Sequence, residues 1–94
     1  MPETVEQEVA GTAIVEDPDR LGGAPHIAGT RIRVSDIAVR YRKGESAEEI
    51  AGTFPGVDLP AVHAALSYYH RNREDIEREV RTREDRFEEA TARR

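Results

Sequence analysis

Gly29, Thr30, Arg31, Ile32, Arg33 and Val34 form a short basic, β-prone run with a glycine at its head. Three capped helical segments follow it at turn-sized intervals. This order constrains the fold more than any other feature of the chain. On an extended backbone alternate side chains face opposite ways, so Arg31 and Arg33 share one side and Ile32 and Val34 the other. The pattern predicts a mainly α fold. Short N-terminal β segments precede a tri-helical helix-turn-helix core, and a C-terminal helix follows it.

The helix signals are local and chemical. Ser35 is a good N-cap and Asp36 suits a first turn, so the first helix is expected from there to about Lys43, ended by Gly44. Ser46, with Glu49 three residues on, matches a capping box and starts the second helix, which Pro55 and Gly56 stop. Asp58 caps a third helix that tolerates Pro60 in its first turn. Leu59, Val62, Leu66 and Tyr69 recur at helical spacing and mark its packed face. Upstream, residues 12–15 read as a strand ended by Asp17 and Pro18. Residues 26–34 read as an extended segment or hairpin broken at Ala28 and Gly29. His26 reads as a polar loop residue.

Charge divides the 94 residues into three parts. Residues 1–20 carry −5, residues 21–73 carry +2 and residues 74–94 carry −2, which gives the net −5 of the whole chain. Residues 1–12 lack the apolar density to offset ordering entropy and are expected to be a disordered acidic arm. Residues 13–72 form the helical domain. Residues 73–94 are helix-forming, with Ile76, Val80 and Phe87 as a narrow apolar stripe. A stripe so narrow is expected to bury little against its own domain, so the segment is either a frayed extension or a helix that folds onto another molecule. A chain cut after Asn72 is therefore expected to stay folded.

Several classes of function are disfavoured. There is no cysteine, which removes disulfides, thiol chemistry and the usual zinc ligands. His63 and His70 lie seven apart on one helix face without an evident third ligand, so no metal and no cofactor is expected. No nucleophile stands beside a base, and Gly22-Gly23 lacks the lysine of a phosphate loop, so the chain reads as a non-enzyme. No apolar run reaches the length of a membrane span and the acidic N-terminus is no signal peptide. A cytoplasmic protein is expected.

What the pattern does offer is an interface. Arg31, Arg33, Arg40, Arg42 and Lys43 lie within thirteen positions, and guanidinium forks suit phosphate oxygens. In a helix-turn-helix the third helix is the recognition element, and its outward polar residues include His63 and Ser67. An ordinary solvated three-helix bundle satisfies the same pattern.

The ordered series Gly22, Gly23, Pro25, Ile27, Gly29, Thr30, Arg31, Ile32 and Val34, continued by Gly44, Ser46, Glu49, Ile50, Phe54, Pro55 and residues 64–69, resembles the domain of unknown function 433 family over roughly residues 14–75. That family is similar to VapB-type antitoxins. The resemblance implies a helix-turn-helix domain that binds operator DNA for autoregulation. It also implies a C-terminal segment that neutralises a PIN-like ribonuclease toxin in a type II toxin–antitoxin pair, with the chain a homodimer or a hetero-oligomer with the toxin. Thr30, Arg31, Arg33, Arg40, Arg42, Lys43, His63 and Ser67 are the expected DNA-binding residues. Ile76, Arg78, Val80, Arg81, Arg83 and Phe87 are the expected partner-binding residues. Two other readings stay open: a free-standing helix-turn-helix transcriptional regulator, and a protein-binding adaptor without DNA contact. His26 stands where family members often carry a small apolar residue or cysteine.

Overall fold

In the computed structural model, residues 7–8 and 13–92 are described. Three short strands, β1 (Gln7–Glu8), β2 (Ile14–Glu16) and β3 (His26–Ile27), make an antiparallel sheet in the order β1-β2-β3. Four helices follow: α1 (Val34–Arg42), α2 (Ala47–Thr53), α3 (Leu59–Arg71) and α4 (Arg73–Ala92). The architecture is mainly α with a small N-terminal sheet, as the pattern predicts.

Local chemistry explains most boundaries. The Ser46 hydroxyl accepts from the Glu49 amide at 3.1 Å, and the Glu49 carboxylate accepts from the Ser46 amide at 2.8 Å. This reciprocal pair fixes the start of α2. Asp58 accepts from the Ala61 amide at 3.0 Å and opens α3 with Pro60 in its first turn. The expected hairpin exists as a tight one. The Ile27 amide donates to the Ile32 carbonyl at 2.9 Å, and Thr30 bridges the turn by donating to the Ile27 carbonyl at 2.8 Å and accepting from the Ile32 amide at 3.0 Å. Residues 29–31 turn where an extended run was expected, so Arg31 is exposed while Arg33 is half-buried.

Three expectations are corrected. The first helix opens two residues earlier than a cap at Ser35 implies, after Arg33, whose amide donates to Asp36 at 2.9 Å. Ser35 therefore caps nothing; it is buried inside α1, and its hydroxyl bonds to Glu79 and Arg83 of α4. His26 is not a loop residue but a fully buried strand residue, its Nδ1 3.0 Å from the Ala24 carbonyl oxygen. Within the expected acidic arm, Gln7–Glu8 pair with β2. Ladder pairing uses backbone groups and needs no apolar side chain. The remainder of that arm lies outside the described residues.

The core joins the sheet to all four helices: Ile14 and Ile27 meet Val34, Ile37, Ile50, Val62, Ala65, Tyr69 and Ile76. Helix α4 belongs to this body. Ile76 is 1% exposed and Val80 4%, both against the chain's own core. The expectation that 73–94 buries little against its own domain is thus overturned for its first half. The physical reason is polar as well as apolar. Ser35 donates to Glu79 at 2.6 Å and accepts from Arg83 at 2.7 Å, and Arg83 pairs with Asp36 at 3.1 Å. Arg42 pairs with Glu77 at 2.8 Å, and Glu77 also accepts from the Tyr69 hydroxyl. These ties supply what a narrow apolar stripe alone lacks.

Candidate interaction surfaces

Ile76, Val80 and Phe87 lie at helical steps of four and seven, so they form one stripe along α4. The first two enter the core, but Phe87 is 72% exposed. It stands beside a groove of about 950 Å³ between α1, the end of α2 and α4. Val39, Phe54 and Val80 supply the apolar lining, Arg40, Lys43 and Arg83 a basic rim, and Glu84 and Glu88 an acidic one. The groove continues the buried α1–α4 contact into solvent. The arrangement is chemically suited to receive an amphipathic surface.

This groove brings together residues that the sequence assigns to different tasks. Arg40 and Lys43, expected on DNA, share it with Val80, Arg83 and Phe87, expected on a partner protein. Val39, Phe54, Glu84 and Glu88 are additions. The only signal for them was the stripe running past Val80, because the groove is built by elements far apart in the chain.

The expected basic cluster is divided by α1 itself. Nine residues of helix span roughly 13 Å, which holds Arg31 and Arg33 at one end and Arg42 and Lys43 at the other. Several of these cations are engaged. Arg40 pairs with Glu45 at 3.0 Å and stacks over Phe54 at 5.2 Å, while Arg42 is held by Glu77. Thr30 is committed to its turn. Arg31 and Lys43 are exposed and make no ion pair among the described residues.

On α3, Pro60, His63, Ser67, His70 and Arg71 are exposed along one side, opposite the buried Ala61, Val62, Ala65, Leu66 and Tyr69. His70 packs edge-on against Tyr41 at 5.5 Å, so it is part of an aromatic group with Tyr69. The first turns of α2 and α3 expose Glu48, Glu49 and Asp58. On α4, Arg78 pairs with Asp75 at 3.1 Å and Arg81 is exposed.

Two phenols are held away from ionisation. Tyr68 is pushed up to about 12 by burial and by donating to Glu16 at 2.9 Å. Tyr69 is raised as well, by burial first and then by its hydrogen bond to Glu77. Among the described residues no three histidine, aspartate or glutamate side chains converge as a metal site, and no helix is long and apolar enough to cross a membrane.

A strand-flanked three-helix head with a fourth helix packed across it defines a small, mainly helical domain. The chain belongs to the family described as protein of unknown function DUF433, whose model matches residues 14–69. It is similar to a DUF433 member protein from Anabaena variabilis, whose crystal structure aligns with a TM-score of 0.68 at 31% identity over 74% of this chain and 69% of that one. It is also 34% identical over 59 residues to the uncharacterized protein y4eO of Sinorhizobium fredii, a match covering 63% of this chain and 27% of that protein's length.

Proposed function

We propose that this chain is a non-enzymatic antitoxin that holds a PIN-like ribonuclease toxin in the groove beside Phe87 and, as a complex, binds operator DNA. The observation that carries the reading is the large aromatic ring left 72% exposed on a helix whose Ile76 and Val80 are buried. Soluble domains seldom leave an apolar groove and an adjoining ring open unless something covers them. The contact surface differs from the one expected from sequence. Phe87 and Lys43 are exposed to it, Arg40 and Arg83 line it while paired within the chain, and Ile76 and Val80 are occupied in the core and act by holding α4 in place.

A protein-binding adaptor without DNA contact is the second reading. The observation favouring it is the exposure of Glu48, Glu49 and Asp58 at the starts of α2 and α3, where carboxylates repel phosphates. Co-expression with the product of the adjacent gene, followed by size-exclusion chromatography and a growth assay, tests the antitoxin reading. The expected result is a co-eluting complex that relieves growth arrest and is lost in Phe87→Asp, with an unchanged melting temperature for the variant alone. A Phe87→Asp chain that still neutralises the toxin removes the groove from the interface.

A further inference from the structure

Arg33 faces a second groove, of about 480 Å³, on another flank of α4. Its lining includes Arg33, Arg78, Arg83 and Arg86 and the turn Leu21–Gly23, with Asp75 and Glu79 as the carboxylates. Four cations against two anions make this a positive groove on a chain of net charge −5. The carboxylates are already committed. Asp75 pairs with Arg78, and Glu79 accepts from Ser35. Arg83 is likewise shared between Asp36 and Ser35. Arg33 and Arg86 make no ion pair among the described residues.

Arg33 is the unexplained member. It is half-buried, and its Nε is fully buried with no hydrogen-bond partner. A partly desolvated guanidinium without a counter-charge is unfavourable unless an anion arrives to meet it. The facing wall is unusual too. Leu21, Gly22 and Gly23 take φ of 54°, 64° and 84°, three successive residues in the left-handed region, one of them a leucine that resists it. Backbone strain of this kind collects where a ligand is handled.

We propose that the groove between the Leu21–Gly23 turn and α4 binds a phosphate dianion, with Arg33 and Arg86 as its principal partners. Guanidiniums reaching in from two different elements suit a compact dianion with several acceptor oxygens, and each offers a planar fork to it. A single carboxylate satisfies one such fork and leaves the other cation uncompensated. Gly22 and Gly23 place no side chain between Leu21 and Ala24 on that wall, so the phosphate can approach the backbone there.

The test is calorimetric titration of the full chain with inorganic phosphate at constant ionic strength balanced by chloride. A second arm uses adenosine monophosphate, to separate free phosphate from a phosphate carried on a nucleotide. Saturable phosphate binding is expected, weakened about tenfold by Arg33→Gln and about threefold by Arg86→Gln, and unaffected by Arg71→Gln on the exposed side of α3. Equal affinity for the two ligands assigns a simple phosphate site, and tighter binding of the monophosphate assigns a nucleotide site; either supports the proposal. Heat no different from that of chloride, or full binding by both groove variants, overturns it. So does preference for a glutamate-rich peptide over phosphate. If Arg33→Gln does not fold by circular dichroism, the exposed Arg86→Gln decides the matter. This inference is independent of the antitoxin reading, and toxin neutralisation plays no part in its readout.

Discussion

Ser35 shows how much a single hydroxyl can hold. It donates a hydrogen bond to Glu79 and accepts one from Arg83, so it sits between a carboxylate and a guanidinium that belong to the other end of the chain. Ser35→Ala leaves both charges without that partner in a partly buried contact, and about 2 kcal/mol of stability is expected to be lost. Urea denaturation of the variant measures this, and Ser35→Ala combined with Glu79→Gln is expected to cost clearly less than the sum of the two. Tyr68 makes a complementary statement about pH. Its folded-state value, raised from the usual 10 to about 12, means the folded chain keeps a proton that the unfolded chain releases. The stabilising contribution is complete below about pH 10 and falls as pH rises from there toward 12. Tyr69, raised in the same direction, adds to that alkaline loss. Melting temperatures of Tyr68→Phe and the parent, compared across pH 9 to 12, are expected to show a shallower alkaline decline in the variant. Neither role was legible in the sequence. A serine before an aspartate looks like a cap, and the partners that make Ser35 an anchor lie 44 and 48 positions away.

At the scale of elements, what sequence could read was what neighbouring residues decide. Ser46 with Glu49, and Asp58 with Ala61, are contacts three residues apart, and they set the starts of α2 and α3 as expected. The fate of α4 depends on residues distant in the sequence, which local patterning does not reveal. Its charge density argued for a helix in search of another molecule. Its first half is instead fixed by Ile76 and Val80 and by the ion pairs of Glu77 and Arg83. The truncation experiment therefore changes its expected outcome. A chain ending at Asn72 loses the fully buried Ile76, whose side chain alone is worth on the order of 3 kcal/mol when removed from a core. Such a chain is expected to lose cooperative unfolding, whereas one ending at Glu84 keeps it. Thermal melts followed by circular dichroism separate the two, and a cooperative transition in the shorter chain would restore the two-domain view.

For the whole molecule the decisive quantity is where charge stands, not how much there is. The basic residues that sequence placed in one cluster are distributed over both ends of α1 and into two grooves. Arg31, at the hairpin turn, is exposed without an ion pair among the described residues, as is Lys43. Arg31→Ala is expected to make the slope of log K against log salt for promoter DNA less negative by about 0.9, the value for one lost phosphate contact. An unchanged slope excludes Arg31 from that surface and favours the adaptor reading.

One consequence of α4 concerns exchange with solvent. The helix contributes Ile76 and Val80 to the interior and Phe87 to the lip of the groove, so one continuous hydrogen-bonded ladder runs from shielded to open ground. A molecule seated against Phe87 restrains the outer turns, and the inner turns cannot open without losing that contact. Amide protons deep in the body, far from any bound surface, should then exchange more slowly in a complex. The slowing is expected to grow with the logarithm of the partner's concentration above its dissociation constant.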